Sequence, residues 1–366
     1  MVILLYLLFI ISLISGSLKF DRLVKGEILF SLIFVAFNMM SLFWLQGSII
    51  AFIVSQQFAL TAFFLSTSTI ALRKMFHLDI DYFISRVALV LFFSWATFSI
   101  FGFVFLGEQI WMDDRGINRL SGALGVSPSS ILNSIVFLIS FYLSFLKKRR
   151  KYYLLVIISI LCVFLSGTRV TIFSSAVSAF IMVIFSKDRR KYLFLLSLLP
   201  MLIYLVWTKI ASRLFFTSGD QLALDSINFN GRRFLWDLLF DNMQNPVIGN
   251  GAGSSITLLQ VQGVAAGIQP HNDYIRIYFD LGWIGLSIFI LMICYMILRT
   301  LWRLIKTNCI RAKSEYSLVL SLLFSYVILM MTDNVYIYNF YTLPMLLIYF
   351  YVVSISQEFE EREKLI

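Results

Sequence analysis

Long apolar runs separated by short charged segments fill the chain. A helix that crosses a bilayer core of about 30 Å needs about 20 mainly apolar residues. The runs therefore predict an all-α polytopic membrane protein, a single integral membrane domain over residues 1–366. The first run has no positively charged start, so we interpret it as a span and not as a cleaved signal. The eleven predicted spans are 1–18, 27–46, 48–72, 83–107, 128–146, 152–165, 170–186, 192–209, 273–298, 315–332 and 337–356.

Composition agrees with this pattern. The chain is 60% hydrophobic and only 14% charged, and its mean hydropathy is +0.86. These values exclude a water-soluble globular domain. The three cysteines, Cys162, Cys294 and Cys309, show neither a disulfide nor a metal-binding spacing.

The net charge of +10 follows mainly from topology. Lys and Arg gather on the cytoplasmic loops of membrane proteins, so the excess charge does not indicate nucleic acid as a partner. This rule predicts an outward N-terminus and an inward C-terminus. Only Gln46 and Gly47 separate the second and third spans, and the loss of one span there would move the N-terminus to the other side. The predicted cytoplasmic clusters are 19–25, 73–74 with Arg86, 147–151, 187–191, 299–313, and Arg362 with Lys364.

The basic residues on the predicted outer side are nearly all arginine. Topology disfavours positive charge there, and arginine binds phosphate or carboxylate in bidentate fashion, which lysine cannot do. This bias predicts an anionic ligand on the outer face. Two outer loops are long enough to form a site, residues 108–127 and 210–272. The outward residues are Arg115, Arg119, Arg169, Lys209, Arg213, Arg232, Arg233 and Arg276.

The segment LSGTRVT, residues 165–171, lies between two basic clusters and must be the outer tip of two spans. The first of these spans has fourteen residues and rises about 21 Å, so the tip is predicted to lie below the membrane surface. An arginine at that depth is energetically costly and usually has a function, so we hypothesise a functional role for Arg169. The alternative is that its side chain extends to the lipid headgroups.

The long outer loop contains FNGRRFLWDLLFDNMQNPVIGNGAGSS, residues 229–255. Apolar residues recur at helical spacing from Arg232, which predicts a short amphipathic helix at the membrane interface. Arg232 and Arg233 would lie in its first turn, where backbone amides attract anions. The glycine-rich GNGAGSS resembles a phosphate-binding loop but lacks the P-loop lysine, and a plain turn is an equal alternative.

The stretch QPHNDYIRIYFDLGWIG, residues 269–285, begins the next span. Asp273, Arg276 and Asp280 share one helical face, which lipid cannot contact, so this face must line a cavity or pack against protein. An ion pair between Arg276 and Asp280 would lower the free-energy cost of burying these charges in the membrane. His271 precedes the helix, and a catalytic role competes there with a structural one.

Taken in order, LSGTR, the GRxxxW pattern of Gly231, Arg232 and Trp236, NPVIGNGAG and PHNDYIRIYFDLGWIGL resemble the O-antigen polymerase (Wzy) and O-antigen ligase (WaaL) superfamily. The resemblance covers roughly residues 150–300. It implies a GT-C-like fold and a metal-independent glycosyltransferase, without a cofactor, in the bacterial inner membrane. The donor would be an undecaprenyl-diphosphate-linked oligosaccharide bound at the periplasmic face.

The resemblance also implies catalytic roles for Arg169, Arg232 and His271. Arg233 is a diphosphate-binding candidate through its neighbourhood alone, and Arg276, Asn272, Asp273 and Tyr274 are glycan- or diphosphate-binding candidates beside the histidine. Arginines can stabilise a leaving diphosphate without a divalent ion. The neighbouring carboxylates of Asp113 and Asp114 are the exception, and they leave a metal site as an alternative. His271 would accept the proton of the attacking hydroxyl or orient the diphosphate.

The preferred function is a surface-polysaccharide polymerase that transfers the lipid-linked glycan to a lipid-linked repeat unit. A ligase that transfers it to lipid A core has the same donor chemistry, and the sequence separates the two poorly. A flippase or transporter of lipid-linked sugars would carry polar residues near the bilayer midplane, whereas here they cluster at outer helix ends. Whether a polysaccharide chain-length regulator is a partner stays open.

Overall fold

The structure, a computed structural model, describes residues 21–69, 80–113, 118–186, 232–262 and 269–363. The predicted spans 1–18 and 192–209 lie outside these residues. Helices dominate the described part of the chain, with one short β-hairpin. The elements are α1 (Lys25–Met40), α2 (Ile49–Ser55), α3 (Gln57–Thr67), α4 (Ile80–Leu106), β1 (Trp111–Asp113), β2 (Asn118–Leu120), α5 (Val126–Phe141), α6 (Tyr153–Ser166), α7 (Arg169–Ile184), α8 (Arg232–Asp241), α9 (Ser254–Val261), α10 (Asp273–Lys306), α11 (Ile310–Met330) and α12 (Asn339–Glu363).

Six helical segments in the described residues are long and apolar enough to cross a membrane. The pair α2 and α3 passes the same test together but bends by 42° at Gln56. Helix α6 has fourteen residues and α7 sixteen, so both are shorter than a full span. The all-α polytopic prediction is confirmed, while the count of eleven stays a prediction. The six segments are Arg22–Trp44, Ile80–Leu106, Val126–Leu146, Asp273–Lys306, Ile310–Met330 and Asn339–Ser356.

Serine contacts fix the alignment of α7 and α11. The hydroxyl groups of Ser174 and Ser325 lie 2.7 Å apart, and one turn further on Ser178 donates to the Ser321 carbonyl at 3.0 Å. Two such contacts running in opposite chain directions define antiparallel helices. Following this alignment back to the start of α7 brings Arg169 level with Met330, at the end of α11. The SGTR tip therefore lies at the same end of the bundle as the loop between α11 and α12.

Helix α10 is interrupted at Gly282, whose backbone is left-handed and extended (φ 64°, ψ −168°). The amides of Trp283 and Ile284 donate to the carbonyls of Pro246 and Val247 at 2.9 and 3.1 Å. A Cβ atom at Gly282 would lie 2.3 Å from the Val247 oxygen, so only glycine fits here. The loop before α9 thus packs directly on the backbone of a membrane helix.

Buried acidic residues meet basic ones at the opposite end of the bundle. The Glu315 carboxylate, near the start of α11, accepts from Lys147 and Arg311, each at 3.2 Å. Asp81 accepts from Arg149 at 3.1 Å. These pairs involve residues of the predicted cytoplasmic clusters. They lie a helix length away from the loop that follows Met330, where the candidate site is found.

Candidate active site

His271 is held by the loop between α11 and α12. Its amide donates to Asn334 Oδ1 at 3.1 Å, and its ring Nδ1 lies 3.3 Å from Asn334 Nδ2. The His271 backbone is left-handed, with φ 51°, which is uncommon for a residue with a side chain. One asparagine side chain therefore fixes both the backbone and the ring of the histidine. The ring is one-third exposed and is accessible to a ligand.

Asp333 is the carboxylate beside this histidine. Its Oδ1 lies 3.6 Å from His271 Nδ1, and the side chain is 1% exposed. It also accepts from the Tyr338 hydroxyl at 3.2 Å and from the Asn334 amide at 2.8 Å. Burial alone would raise the pKa of Asp333, but His271, the Asn334 amide and the Ser127 side chain outweigh burial and lower the pKa below its usual value. The site therefore holds an ionised carboxylate next to an imidazole.

Sequence reasoning missed Asp333, Asn334 and Tyr338. They lie in TDNVYIYNF, residues 332–340, between two apolar runs and outside every motif quoted above. One signal was present: Asp333 is a lone carboxylate at the outer end of a predicted span, where ionisable residues are costly and often functional. Its partner was not predictable, because nothing in the sequence relates this loop to His271.

Arg232 begins α8 and lies close enough to the same carboxylate to interact with it electrostatically. The guanidinium is partly buried; burial lowers its pKa, whereas Asp333 and the Tyr338 phenol act in the opposite direction. Arginine nevertheless stays charged in proteins. Four residues later, on the same helical face, Trp236 Nε1 donates to the Pro270 carbonyl at 2.7 Å. The arginine and tryptophan of the GRxxxW pattern thus act together: Trp236 fixes α8 next to the segment that carries His271.

Arg233 has a different environment from its neighbour. Its side chain is 81% exposed and lies 3.9 Å from Asp237 on the outer surface of α8. Leu235 and Leu239 form the buried face of this amphipathic helix, whereas Phe234 is exposed. The short helix is confirmed, and the diphosphate-binding role of Arg233 stays a prediction.

The SGTR tip is braced by the β-hairpin of the first outer loop. Arg119 in β2 donates to the Ser166 carbonyl at 2.7 Å and to Thr168 Oγ1 at 3.4 Å. Gly167 adopts the left-handed conformation that ends α6, and α7 starts at Arg169. Arg169 therefore lies in the first turn of a helix, at the end of the bundle that carries Asp333.

Asn272, Asp273 and Tyr274 make contacts within the fold. Asn272 Oδ1 accepts from the amides of Tyr274 and Ile275 and caps α10. Asp273 is fully buried, and its Oδ2 accepts from the Tyr336 amide at 2.8 Å, in the turn that follows Asn334. The Tyr274 hydroxyl donates to the Val327 carbonyl at 3.1 Å. These contacts position His271 and Asn334; direct substrate binding by the three residues stays a prediction.

Arg276 and Asp280 are buried one turn apart. Arg276 is 1% exposed, and its Nε lies 3.9 Å from Asp280 Oδ2, so the charged face packs inside the protein, one of the two options its pattern allowed. Asp280 also accepts from the amides of Gly253 and Ser255 at 2.9 and 2.8 Å. The glycine-rich loop and the start of α9 thus bind an internal carboxylate with the amides that a phosphate loop would offer to a ligand.

A metal site has no support from the acidic and thiol groups described. Among the described residues, no three His, Cys, Asp or Glu side chains come together in a way that could hold a metal ion. The Asp113–Asp114 alternative lies outside the side chains that the structure describes.

The relationship to known proteins rests on the region that contains these motifs. Residues 154–290 match the family model Wzy_C, described as O-antigen ligase. The matched part of the chain is similar to the O-antigen polymerase and ligase superfamily. The matched range includes Arg169, Arg232 and His271 and ends before Asp333. No curated protein matches the chain.

This match confirms the resemblance recognised from the motifs. Together with the apolar helices, it indicates a polysaccharide-processing, multi-pass membrane enzyme of the Wzy and WaaL kind, with a lipid-linked glycan as the implied substrate. Polymerases and ligases of this kind differ in the acceptor of the glycan.

Proposed function

We propose that the protein is a surface-polysaccharide polymerase, which transfers an undecaprenyl-diphosphate-linked glycan to a lipid-linked repeat unit at the periplasmic face of the inner membrane. The observation that carries the proposal is the meeting of Arg232, His271 and Asp333, from three separate segments, at one end of the bundle. In glycosyl transfer from a diphosphate, a cation can stabilise the leaving group and an imidazole oriented by a carboxylate can act as the base.

In the proposed reaction, an acceptor hydroxyl oxygen attacks C1 of the donor sugar. The bond between C1 and the phosphate oxygen breaks, and undecaprenyl diphosphate leaves with the bonding electron pair. Arg232 and Arg169 stabilise the negative charge on the leaving group, through charge-assisted hydrogen bonds worth about 1.5–3 kcal/mol each. Arginine supplies this stabilisation without a metal ion, which is why we propose metal-independent transfer and no cofactor.

His271 accepts the proton of the attacking hydroxyl. Asp333 stabilises the resulting imidazolium through its Oδ1, 3.6 Å from the ring Nδ1, which leaves Nε2 as the proton acceptor. Asn334 Oδ1 fixes the His271 backbone by accepting from its amide at 3.1 Å. Such a base contributes about 10²–10⁴-fold to a rate.

The sidedness belongs to the same proposal. Basic residues lie at the end of the bundle far from His271, as expected if that end is cytoplasmic. The site would then open to the periplasm, where acceptor and donor remain membrane-bound through their lipids. A GT-C-like fold with eleven spans fits this topology.

A deletion strain tests the proposal. Complementation with wild type should restore a long-chain polysaccharide ladder on a gel, whereas His271→Ala and Arg232→Ala at equal protein levels should not. Arg86→Gln, which removes a cation that stacks on Tyr82 of α4 and belongs to none of the motifs, is the control for expression and insertion. An unchanged ladder with His271→Ala would reject the catalytic assignment.

The ligase reaction is the second candidate, because the description of the matching family is O-antigen ligase. The two differ in the acceptor, and the deletion phenotype separates them. Core capped by a single repeat unit indicates a missing polymerase, whereas bare core with polymer still on the lipid carrier indicates a missing ligase.

A further inference from the structure

A cavity of about 890 Å³ lies at the end of the bundle opposite His271. It is formed where α5 and α7 end and where α10 turns into α11. Its size falls within the range of about 300–1,000 Å³ that is usual for ligand sites. None of the motifs shared with the superfamily contributes to it, so its role is separate from glycosyl transfer.

The walls of the cavity have two kinds of surface. Apolar side chains from all four helix ends form one part, including Phe145, Ile184, Leu304 and Ile310. The other part is basic and contains no carboxylate among the described lining residues; it consists of Lys147, Lys148, Arg311 and Lys313. A ligand that fits both parts carries a negative headgroup and a hydrocarbon chain.

Two acidic residues, Glu315 and Asp81, contact cations of the basic part. Glu315 accepts from both Lys147 and Arg311 and from the Ser356 hydroxyl, so one carboxylate is shared by two cations. Lys147 also lies 3.4 Å from Asp81, which Arg149 contacts as well. Among the described lining cations, Lys313 has no described carboxylate within ion-pair distance, so it is available to an anion.

Topology explains why Lys and Arg occur at this end but not why they surround an apolar cavity. A basic residue that only sets orientation is equally effective in a solvated loop. Basic pockets between helices at the cytoplasmic side are typical binding places for anionic lipid headgroups. We infer that this cavity binds an anionic phospholipid, with its phosphate near Lys148 and Lys313 and its acyl chains along the apolar walls.

Native mass spectrometry of the full chain in detergent tests this inference, with phosphatidylglycerol and phosphatidylcholine of the same acyl chains as probes. Wild type should retain phosphatidylglycerol more strongly. The variant Lys148→Asn/Lys313→Gln should lose most of this preference, since each lysine near an anionic phosphate contributes about five-fold. Asparagine is chosen because Lys148 has a left-handed backbone (φ 56°), which asparagine tolerates.

Two further variants keep the test decisive. Lys148→Arg/Lys313→Arg keeps the charge and should keep the preference. Arg86→Gln removes a cation that stacks on Tyr82 of α4, outside the lining of the cavity, and should also leave it unchanged. Equal retention of both lipids by wild type, or an unchanged preference in the Lys148→Asn/Lys313→Gln variant, would overturn the inference. Displacement of phosphatidylglycerol by equimolar undecaprenyl phosphate would overturn it as well, in favour of the carrier lipid.

Discussion

Asp333 Oδ1 lies 3.6 Å from His271 Nδ1, and these two residues come from loops at the ends of different membrane helices. The Asn334 side chain binds the His271 amide and faces the same ring nitrogen. The histidine is therefore positioned by its neighbours in space and not by its own helix. This arrangement resembles the base-and-orienting-carboxylate pairs of hydrolytic enzymes in its geometry, although the reaction proposed here is glycosyl transfer.

We expect Asp333→Asn to lower the transfer rate by about 10²-fold or more while the protein still folds. The amide is of equal size, but it cannot stabilise an imidazolium. The measurement is the turnover number with purified protein and lipid-linked donor, next to thermal unfolding of the same samples. A normal turnover number in the folded variant would remove Asp333 from the mechanism.

Variants of Trp236 and Arg232 distinguish the effect of the position of Arg232 from the effect of its charge. Trp236→Phe keeps the aromatic packing and leaves the Pro270 carbonyl without this donor, which costs about 1 kcal/mol or somewhat more. We expect a moderate loss of activity, about tenfold, with Arg232 still present. Arg232→Lys keeps a positive charge but not the bidentate geometry, and we expect a larger loss.

Steady-state kinetics with purified protein distinguish these two variants. If Trp236 only stabilises α8, lower temperature should recover much of the Trp236→Phe activity, whereas the Arg232→Lys defect should persist. Full activity of Arg232→Lys would mean that the guanidinium does not contact the diphosphate.

The sequence was informative where one element is enough to interpret a pattern. Apolar runs predicted the spans, and the i, i+4 spacing of Arg276 and Asp280 predicted their pairing, since both depend on a single helix. Arg232 and His271 were singled out because each belongs to a short motif that resembles the superfamily, and their catalytic roles stay predictions. Gly253 was harder to interpret, because the same glycine-rich pattern suits a ligand phosphate or the internal Asp280 carboxylate.

Sequence patterns did not predict the contacts between distant segments of the chain. Asp333 has no motif of its own, and its depressed pKa results from His271, which belongs to another loop. The left-handed interruption at Gly282 was likewise hidden inside an apolar run, where its reason is the backbone of Val247. Residues acquire such roles from packing, which a single chain pattern does not encode.

The two arginines Arg276 and Arg233 provide a matched pair for stability. Arg276 is 1% exposed, whereas Arg233 is 81% exposed. Arg276→Ala leaves the Asp280 carboxylate buried without its cation, a change that typically costs about 3–5 kcal/mol. Arg233→Ala should change the free energy of unfolding by at most about 0.5 kcal/mol.

Thermal unfolding in detergent, followed by intrinsic fluorescence, measures the difference between these variants. We expect a clearly lower Tm for Arg276→Ala and an unchanged one for Arg233→Ala. Equal Tm values would show that the buried arginine does not stabilise the fold, and would favour the alternative that it contacts substrate.

Gly282→Ala tests whether the loop over α10 depends on close backbone contact. The added Cβ would lie 2.3 Å from the Val247 oxygen, and the left-handed extended backbone is itself almost restricted to glycine. The loop must move, and the hydrogen bonds from Trp283 and Ile284 should weaken, so we expect a loss of about 2 kcal/mol or more. Gly107→Ala is the control: Gly107 is also left-handed (φ 67°) but has no atom within 4 Å of an added Cβ, so it carries the conformational cost without the clash and should cost less. Hydrogen exchange at residues 283 and 284 reports the contact directly: faster exchange is expected in Gly282→Ala alone, and unchanged exchange there would contradict the proposed role of this glycine.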